Sequence, residues 1–254
     1  MVGSEHDEAL ADAFDGQAAQ FERAPVQSDP AALERLVRAA GLSADSLVLD
    51  AGCGPGLVSE ALLRGGCRVF GVDLSAEMVG RARRRCAAFG DRARFEQGSL
   101  FDDLPAGPFD AGISRYVLHH VADPDAFVRR QVELLRSGGV LVLCDSTGDP
   151  DSERARALDD VERARDKTHT HNLAGGQIVD LFARAGLTDL RLSEEAYSLD
   201  FDEWFDRGTP VDTKENVRAR FLAGPHARGF WAEALPGGSV RINAIRAIVR
   251  GVKP

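Results

Sequence analysis

The sequence predicts an α/β fold, a mostly parallel sheet with helices on both faces, on three observations. Short apolar runs of strand length alternate with longer segments of helical spacing. Glycines and proline-led starts punctuate the change of period. The 254 residues suffice for one large domain with a substantial core.

The elements follow in chain order. "FDGQAAQFER" sets Phe14, Ala18 and Phe21 at helical intervals, which suits a helical lid over residues 1–44. "DPAALERLVRAAG" is a second helix, with Asp29 as N-cap, Pro30 at the first helical position and Gly41 as stop. "SLVLDAG" is an apolar run fit for a strand buried on both faces, and "LVSEALLRGG" returns to helical spacing. The switch recurs at "CRVFGVD" into "SAEMVGRARRRCAAFG" and at "PFDAGISRYVLHH" into "DPDAFVRRQVELLRSGG", before "VLVLCD". Strands are expected near 46–51, 68–73, 93–97, 109–114 and 139–145, joined by right-handed crossovers. "GQIVDLFARAGL" then reads as a helix and "TDLRLSEEAYS" as a strand. The expected organisation is a single domain, 1–254, with a core at 45–196, a substrate-cap insert at 197–239 and a last strand at 240–254. The strands flanking the insert pair as a terminal hairpin.

Composition excludes several classes. Thirty-one Lys and Arg against 40 Asp and Glu give a formal charge of -9, which disfavours a nucleic-acid partner. The basic runs "RARRR" and "VRRQ" are read as solvated helix faces. Cys53, Cys67, Cys86 and Cys144 stand singly without CxxC spacing, as in a reducing compartment. "MVGSEHDEALADAF" is acidic and lacks the basic and apolar regions of a signal peptide, and no apolar run reaches the roughly 18 residues of a membrane span. The expectation is a cytoplasmic monomer or homodimer acting on a small molecule, with neither membrane nor nucleic acid as partner.

The stretch "VLDAGCGPGLVSEALLRGGCRVFGVD" carries the chemistry. In an open parallel sheet, ligands bind beyond the carboxyl ends of the strands where the winding reverses. Gly52, Gly54 and Gly56 let the backbone turn sharply there and approach a ligand closely. Asp73, some 20 residues on, is placed to accept hydrogen bonds from ribose hydroxyls. The spacing is GxGxG, not the GxGxxG of dinucleotide sites, and Asp50 precedes it. A carboxylate repels a pyrophosphate but attracts an ammonium or a sulfonium.

"VLDAGCGPG", "VFGVDLSAEMVGRAR" and "LLRSGGVLVL" resemble the glycine loop, second-strand acidic end and fifth-strand approach of class I S-adenosylmethionine-dependent methyltransferases. Ser114 to Pro124 is similar to the small-molecule branch related to ubiquinone and menaquinone biosynthesis. The resemblance implies a Rossmann-like seven-stranded sheet, S-adenosyl-L-methionine as cofactor, S-adenosylhomocysteine as product, and methyl transfer to a natural-product or secondary-metabolite acceptor. It also implies that Asp50, Gly52 and Gly54 meet the methionine portion, Asp73 the ribose, and Leu74 and Met78 the ribose or adenine surroundings. Gly98, Ser99 and Leu100 would flank adenine, while Ser114 and Arg115 would lie near the methionine ammonium. Many relatives carry an acidic residue where Ser99 stands, so Asp102 or a backbone group is the substitute for adenine N6.

An attack on a sulfonium methyl needs alignment above all, and a base only where the nucleophile must lose a proton. His119 and His120, beyond the fourth strand, are the candidates, with His119 favoured; on a helix they would point about 100° apart. The alternative has both as hydrogen-bonded structure. Asp145 orients an imidazole, binds substrate or caps the next segment. Phe21, Tyr116, His169 and Trp204 are the remaining candidate substrate contacts. His169 and His171 lack an accompanying ligand cluster, so no metal is expected. With a histidine base available, O-methylation is favoured. The alternatives are C- or N-methylation, or a non-methylating S-adenosylmethionine enzyme on the same fold.

Overall fold

The computed structural model describes residues 5–104 and 107–254; residues 1–4 of the expected lid lie outside the described residues. Three helices come first: α1 (Glu5–Arg23), α2 (Pro25–Ser28) and α3 (Pro30–Ala40). Asp29 caps α3 by accepting from the Ala31 amide, and Gly41 ends it in the left-handed conformation that glycine adopts without strain.

The alternating core follows: β1 (Leu47–Ala51), α4 (Leu57–Arg64), β2 (Arg68–Asp73), α5 (Ala76–Cys86), β3 (Ala93–Gln97), β4 (Phe109–Arg115), α6 (Pro124–Leu134) and β5 (Leu135–Ser146). Val48 to Ala51 are all buried, as the unbroken apolar run requires of a strand covered on both faces. A 3₁₀ turn at Leu118–His120 separates β4 from α6. Then come α7 (Ser152–Arg165), α8 (Gly175–Arg184), β6 (Thr188–Asp200), α9 (Phe201–Asp206), α10 (Lys214–Ala223), β7 (Phe230–Ala234) and β8 (Val240–Val252).

The sheet order is β3-β2-β1-β4-β5-β8-β6, with β7 also on β8. Strands β1 to β5 pair in parallel, and β8 is antiparallel to β5, β6 and β7. The winding reverses between β1 and β4, so a crevice opens beyond their carboxyl ends. Asp50, Asp73 and Arg115 all stand at that edge.

The sheet has eight strands where seven are expected. The additional one is β7, within the insert: β8 is 13 residues long, and its first half runs past β5, leaving an edge that Phe230–Ala234 covers. Strand β6 also continues to Asp200, so the insert begins at Phe201 rather than at residue 197. The basic run on α5 is a solvated face only in part. Arg81 and Arg85 pair with Glu22 of α1 at 2.6 and 2.7 Å, Arg85 also reaches Glu60 at 2.9 Å, and Arg83 donates to the Phe95 carbonyl. Arg83 and Arg84 are exposed, while Arg81 and Arg85 are partly buried.

Two hydrophobic clusters lie on the two faces of the sheet, one joining Leu36, Leu62 and Val79, the other Phe109, Val128 and Phe182. A third, with Phe201, Trp204, Phe221 and Phe230, belongs to the insert, α7 and the near half of β8. All four cysteines are buried and free. Among the described residues no helix is long and apolar enough to cross a membrane.

Candidate active site

The glycine loop turns back on itself at the end of β1. Gly52 has φ of 72°, and a Cβ there would stand 2.4 Å from Cγ2 of Val117. Glycine is thus required both by the backbone and by the neighbour. A Cβ on Gly54 would meet nothing within 4 Å, so that peptide faces open space. The Asp73 carboxylate holds the loop, accepting from the Gly54 amide at 2.8 Å and the Ser75 amide at 3.0 Å. Each carboxylate oxygen keeps acceptor capacity for a further donor. Burial raises the Asp73 pKa, and these two amides oppose the rise.

Asp50 is 1% exposed and accepts from the Ser59 hydroxyl at 2.5 Å. Its pKa is pushed up to about 7, by burial first, against the Ser59 hydrogen bond and with the Asp73 charge adding to the rise. A carboxylate so placed favours a cation beside it.

Around this loop lies a cavity of about 310 Å³. Asp50, Gly52, Gly54 and Asp73 form its floor, with Leu74 and Met78 on one side and Gly98, Ser99 and Leu100 on another. Helix α1 closes it with Leu10, Phe14 and Phe21, and His6 Nε2 lies 2.7 Å from the His120 carbonyl oxygen. Arg115 also reaches the cavity, but its guanidinium donates to the carbonyls of Val26 and Gln27 and so pins α2. Ser114 is buried and does not line the cavity. Asp102 does not line it either; its carboxylate accepts from the Ser99 amide at 2.8 Å and shapes that loop.

The two histidines part ways on the 3₁₀ turn. His119 Nδ1 lies 2.6 Å from Asp145 Oδ1, and the other Asp145 oxygen accepts from the Leu118 amide at 2.7 Å. With Nδ1–H directed at the carboxylate, neutral His119 carries its lone pair on Nε2. Burial works against a charged His119, but the Asp145 charge and hydrogen bond, with Glu162 and Asp166 beyond, outweigh it and raise the pKa. His120 is the opposite case. Burial, then the adjacent His119 4.1 Å away between ring centroids, hold its pKa well below the ordinary value. His120 Nδ1 sits 3.1 Å from the carbonyl of Thr168. Two neighbouring titratable groups driven apart in this way are a common acid–base arrangement.

His120 lines the large cavity, whereas His119 lines a second one of about 60 Å³. The two share Phe21, Gln27, Tyr116 and His120 as walls. Trp204 reaches the second cavity from the insert. Asp145 and His169 line neither: Asp145 stands behind His119, and His169 is buried against Asp159 at 2.9 Å. Among the described residues no group of three or more His, Cys, Asp or Glu is gathered for a metal ion.

Comparison with known proteins bears on this crevice. A family model described as a methyltransferase domain matches residues 49–143. Residues 49–143 are thus similar to the methyltransferase domain of class I S-adenosylmethionine-dependent enzymes. The chain is 41% identical over 103 residues to the ubiquinone biosynthesis O-methyltransferase of Xanthomonas axonopodis pv. citri, a match that covers 39% of this chain and 43% of that protein. The chain thus spans less than half the length of that curated relative. Two solved structures share the fold over nearly their whole length. YcgJ of Bacillus subtilis has a TM-score of 0.76 at 24% identity, covering 87% of this chain and 97% of that one. A putative methyltransferase from Bacillus halodurans has a TM-score of 0.77 at 22% identity, covering 87% and 98%.

The cofactor of these methyltransferases fits the residues present. The open Gly54 peptide offers a close backbone approach, Asp50 stands where a cation is wanted, and Asp73 retains acceptors for hydroxyls. What lay outside sequence reasoning is the second cavity, whose walls include Glu162 and Arg165 on α7 and Arg207 after α9. Nothing in their spacing marks them, because α7 and the insert meet only in the fold.

Proposed function

We propose that the chain transfers a methyl group from S-adenosylmethionine to a hydroxyl of a small organic acceptor, with His119 as general base. The observation that carries this reading is the 2.6 Å contact between His119 Nδ1 and Asp145, which stands behind the His119 ring at the second cavity. Bound S-adenosylmethionine supplies an electrophilic methyl on a good leaving group. Asp50, Gly52, Gly54 and Asp73 would hold it, with Leu74, Met78, Gly98, Ser99 and Leu100 around the nucleoside.

The remaining work falls to the chain itself. Leu10, Phe14 and Phe21 of α1 exclude water from the cavity. Nε2 of His119 takes the hydroxyl proton, and Asp145 holds the tautomer and stabilises the imidazolium that forms. The methyl acceptor enters through the second cavity, which His119 helps to line. Ser114 and Arg115 act on the cofactor only as backbone and as a brace, and His120 walls the site as a neutral ring.

The test is incubation of the purified chain with methyl-labelled cofactor and a panel of hydroxylated small molecules, read by mass spectrometry. A gain of one methyl on oxygen supports the reading; a label found on carbon or nitrogen overturns the O-transfer assignment.

A further inference from the structure

The second cavity holds a guanidinium, that of Arg207, that the fold pairs only at long range. The Arg207 side chain is 8% exposed, yet among the described residues its only hydrogen bond runs from Nε to the Glu203 carbonyl at 3.3 Å. The Glu203 carboxylate stays 3.9 Å from Nε. Arg165, on the same wall, is also buried, but its guanidinium is taken up by the Trp204 carbonyl and by Asp166 at 3.2 Å. Burial and then the charge of Arg165 pull the Arg207 pKa down to about 10. Arg207 is thus a buried cation beside a second one, with donors open to a cavity. Guanidinium groups left in that state are strongly disfavoured unless an anion completes them. Asn172 adds an amide, 5% exposed, whose Nδ2 and Oδ1 both lack a partner.

We infer that this cavity is an anion subsite, in which Arg207 pairs with a carboxylate carried by the methyl acceptor. The inference rests on the methyl-transfer reading above and names the substrate class: a small hydroxy acid, its carboxylate on Arg207 and its hydroxyl toward His119. A carboxylate suits the site better than a phosphate. Arg165 already has Asp166, and the Glu162 carboxylate on the same wall repels a dianion, whereas one bidentate monoanion balances Arg207. Glu162 and Asn172 are then available to donors and acceptors on the rest of the acceptor.

The test is calorimetry on the full chain saturated with S-adenosylhomocysteine, using benzoate, benzamide and phenyl phosphate as probes. Benzoate is expected to bind at least about tenfold more tightly than benzamide and than phenyl phosphate. In Arg207→Gln the benzoate preference disappears while S-adenosylhomocysteine affinity stays as in wild type, and Arg207→Lys restores part of the preference. Equal binding of benzoate and benzamide by wild type, or a preference that survives in Arg207→Gln, overturns the subsite. Tighter binding of phenyl phosphate overturns the carboxylate assignment. Failure of S-adenosylhomocysteine itself to bind overturns the methyl-transfer reading instead, so the two failures are distinct.

Discussion

At the scale of single residues, protonation decides most of what the crevice can do. Asp50 has a pKa of about 7, raised mainly by burial, so it is ionised above that value and protonated below it. A cationic group bound beside it favours the ionised form. Cofactor affinity should therefore fall as pH drops from 8 to 6, with a proton released on binding that Asp50→Asn abolishes; calorimetry in buffers of differing ionisation enthalpy measures this. His119 has its pKa raised, through Asp145 in spite of burial. A base must be neutral, so turnover should decline as pH falls through a value above the ordinary 6.5, and Asp145→Asn should move that limb to lower pH. His119→Ala is expected to slow turnover by about 10² or more with cofactor affinity kept, as steady-state kinetics beside calorimetry would show. The cradle was legible because Asp50, the glycines and Asp73 sit within one strand–turn–helix–strand unit. The division of labour between the histidines was not. It depends on a 3₁₀ turn in place of an α-helix and on Asp145, brought from 26 residues away.

At the scale of elements, α1 is a cover held down by charge. Glu22 bridges Arg81 and Arg85 of α5, and Asp15 accepts from the Ser75 hydroxyl and the Glu77 amide at the start of α5. These pairs are partly exposed, so each contributes only about 0.2–1 kcal/mol. Glu22→Ala should thus leave the fold intact but loosen the lid. Limited proteolysis is expected to cut within 5–23 faster, and the cofactor to dissociate faster. The helix itself could be read from the intervals of Phe14, Ala18 and Phe21, but its clamp could not, because a run of arginines looks the same whether solvated or paired. Strand β7 was hidden for a related reason. Five residues among glycine breaks carry no period of their own, and they become a strand because β8 presents a free edge.

At the scale of the whole molecule, the alternating core was readable and the insert was not. Buried parallel strands impose continuous apolar runs at fixed spacing, whereas the insert draws its order from long-range packing of Trp204 on Phe221 and Phe230, at 5.6 and 5.7 Å between rings, and on Arg165. Trp204→Ala should cost about 3–5 kcal/mol of stability. We expect the chain to unfold as one unit, because β8 is shared between the sheet core and the third cluster; the loss in Trp204→Ala should then shift a single calorimetric transition rather than split it. All of this scaffolding serves one claim, that the edge beyond β1 and β2 binds S-adenosylmethionine through Asp73 and the glycine loop. Isothermal titration of the purified chain with S-adenosylmethionine, for wild type and Asp73→Ala, tests it most directly. Saturable one-site binding by wild type, lost in a folded Asp73→Ala, is the expected result; no binding by wild type, or unchanged binding by the variant, would contradict it.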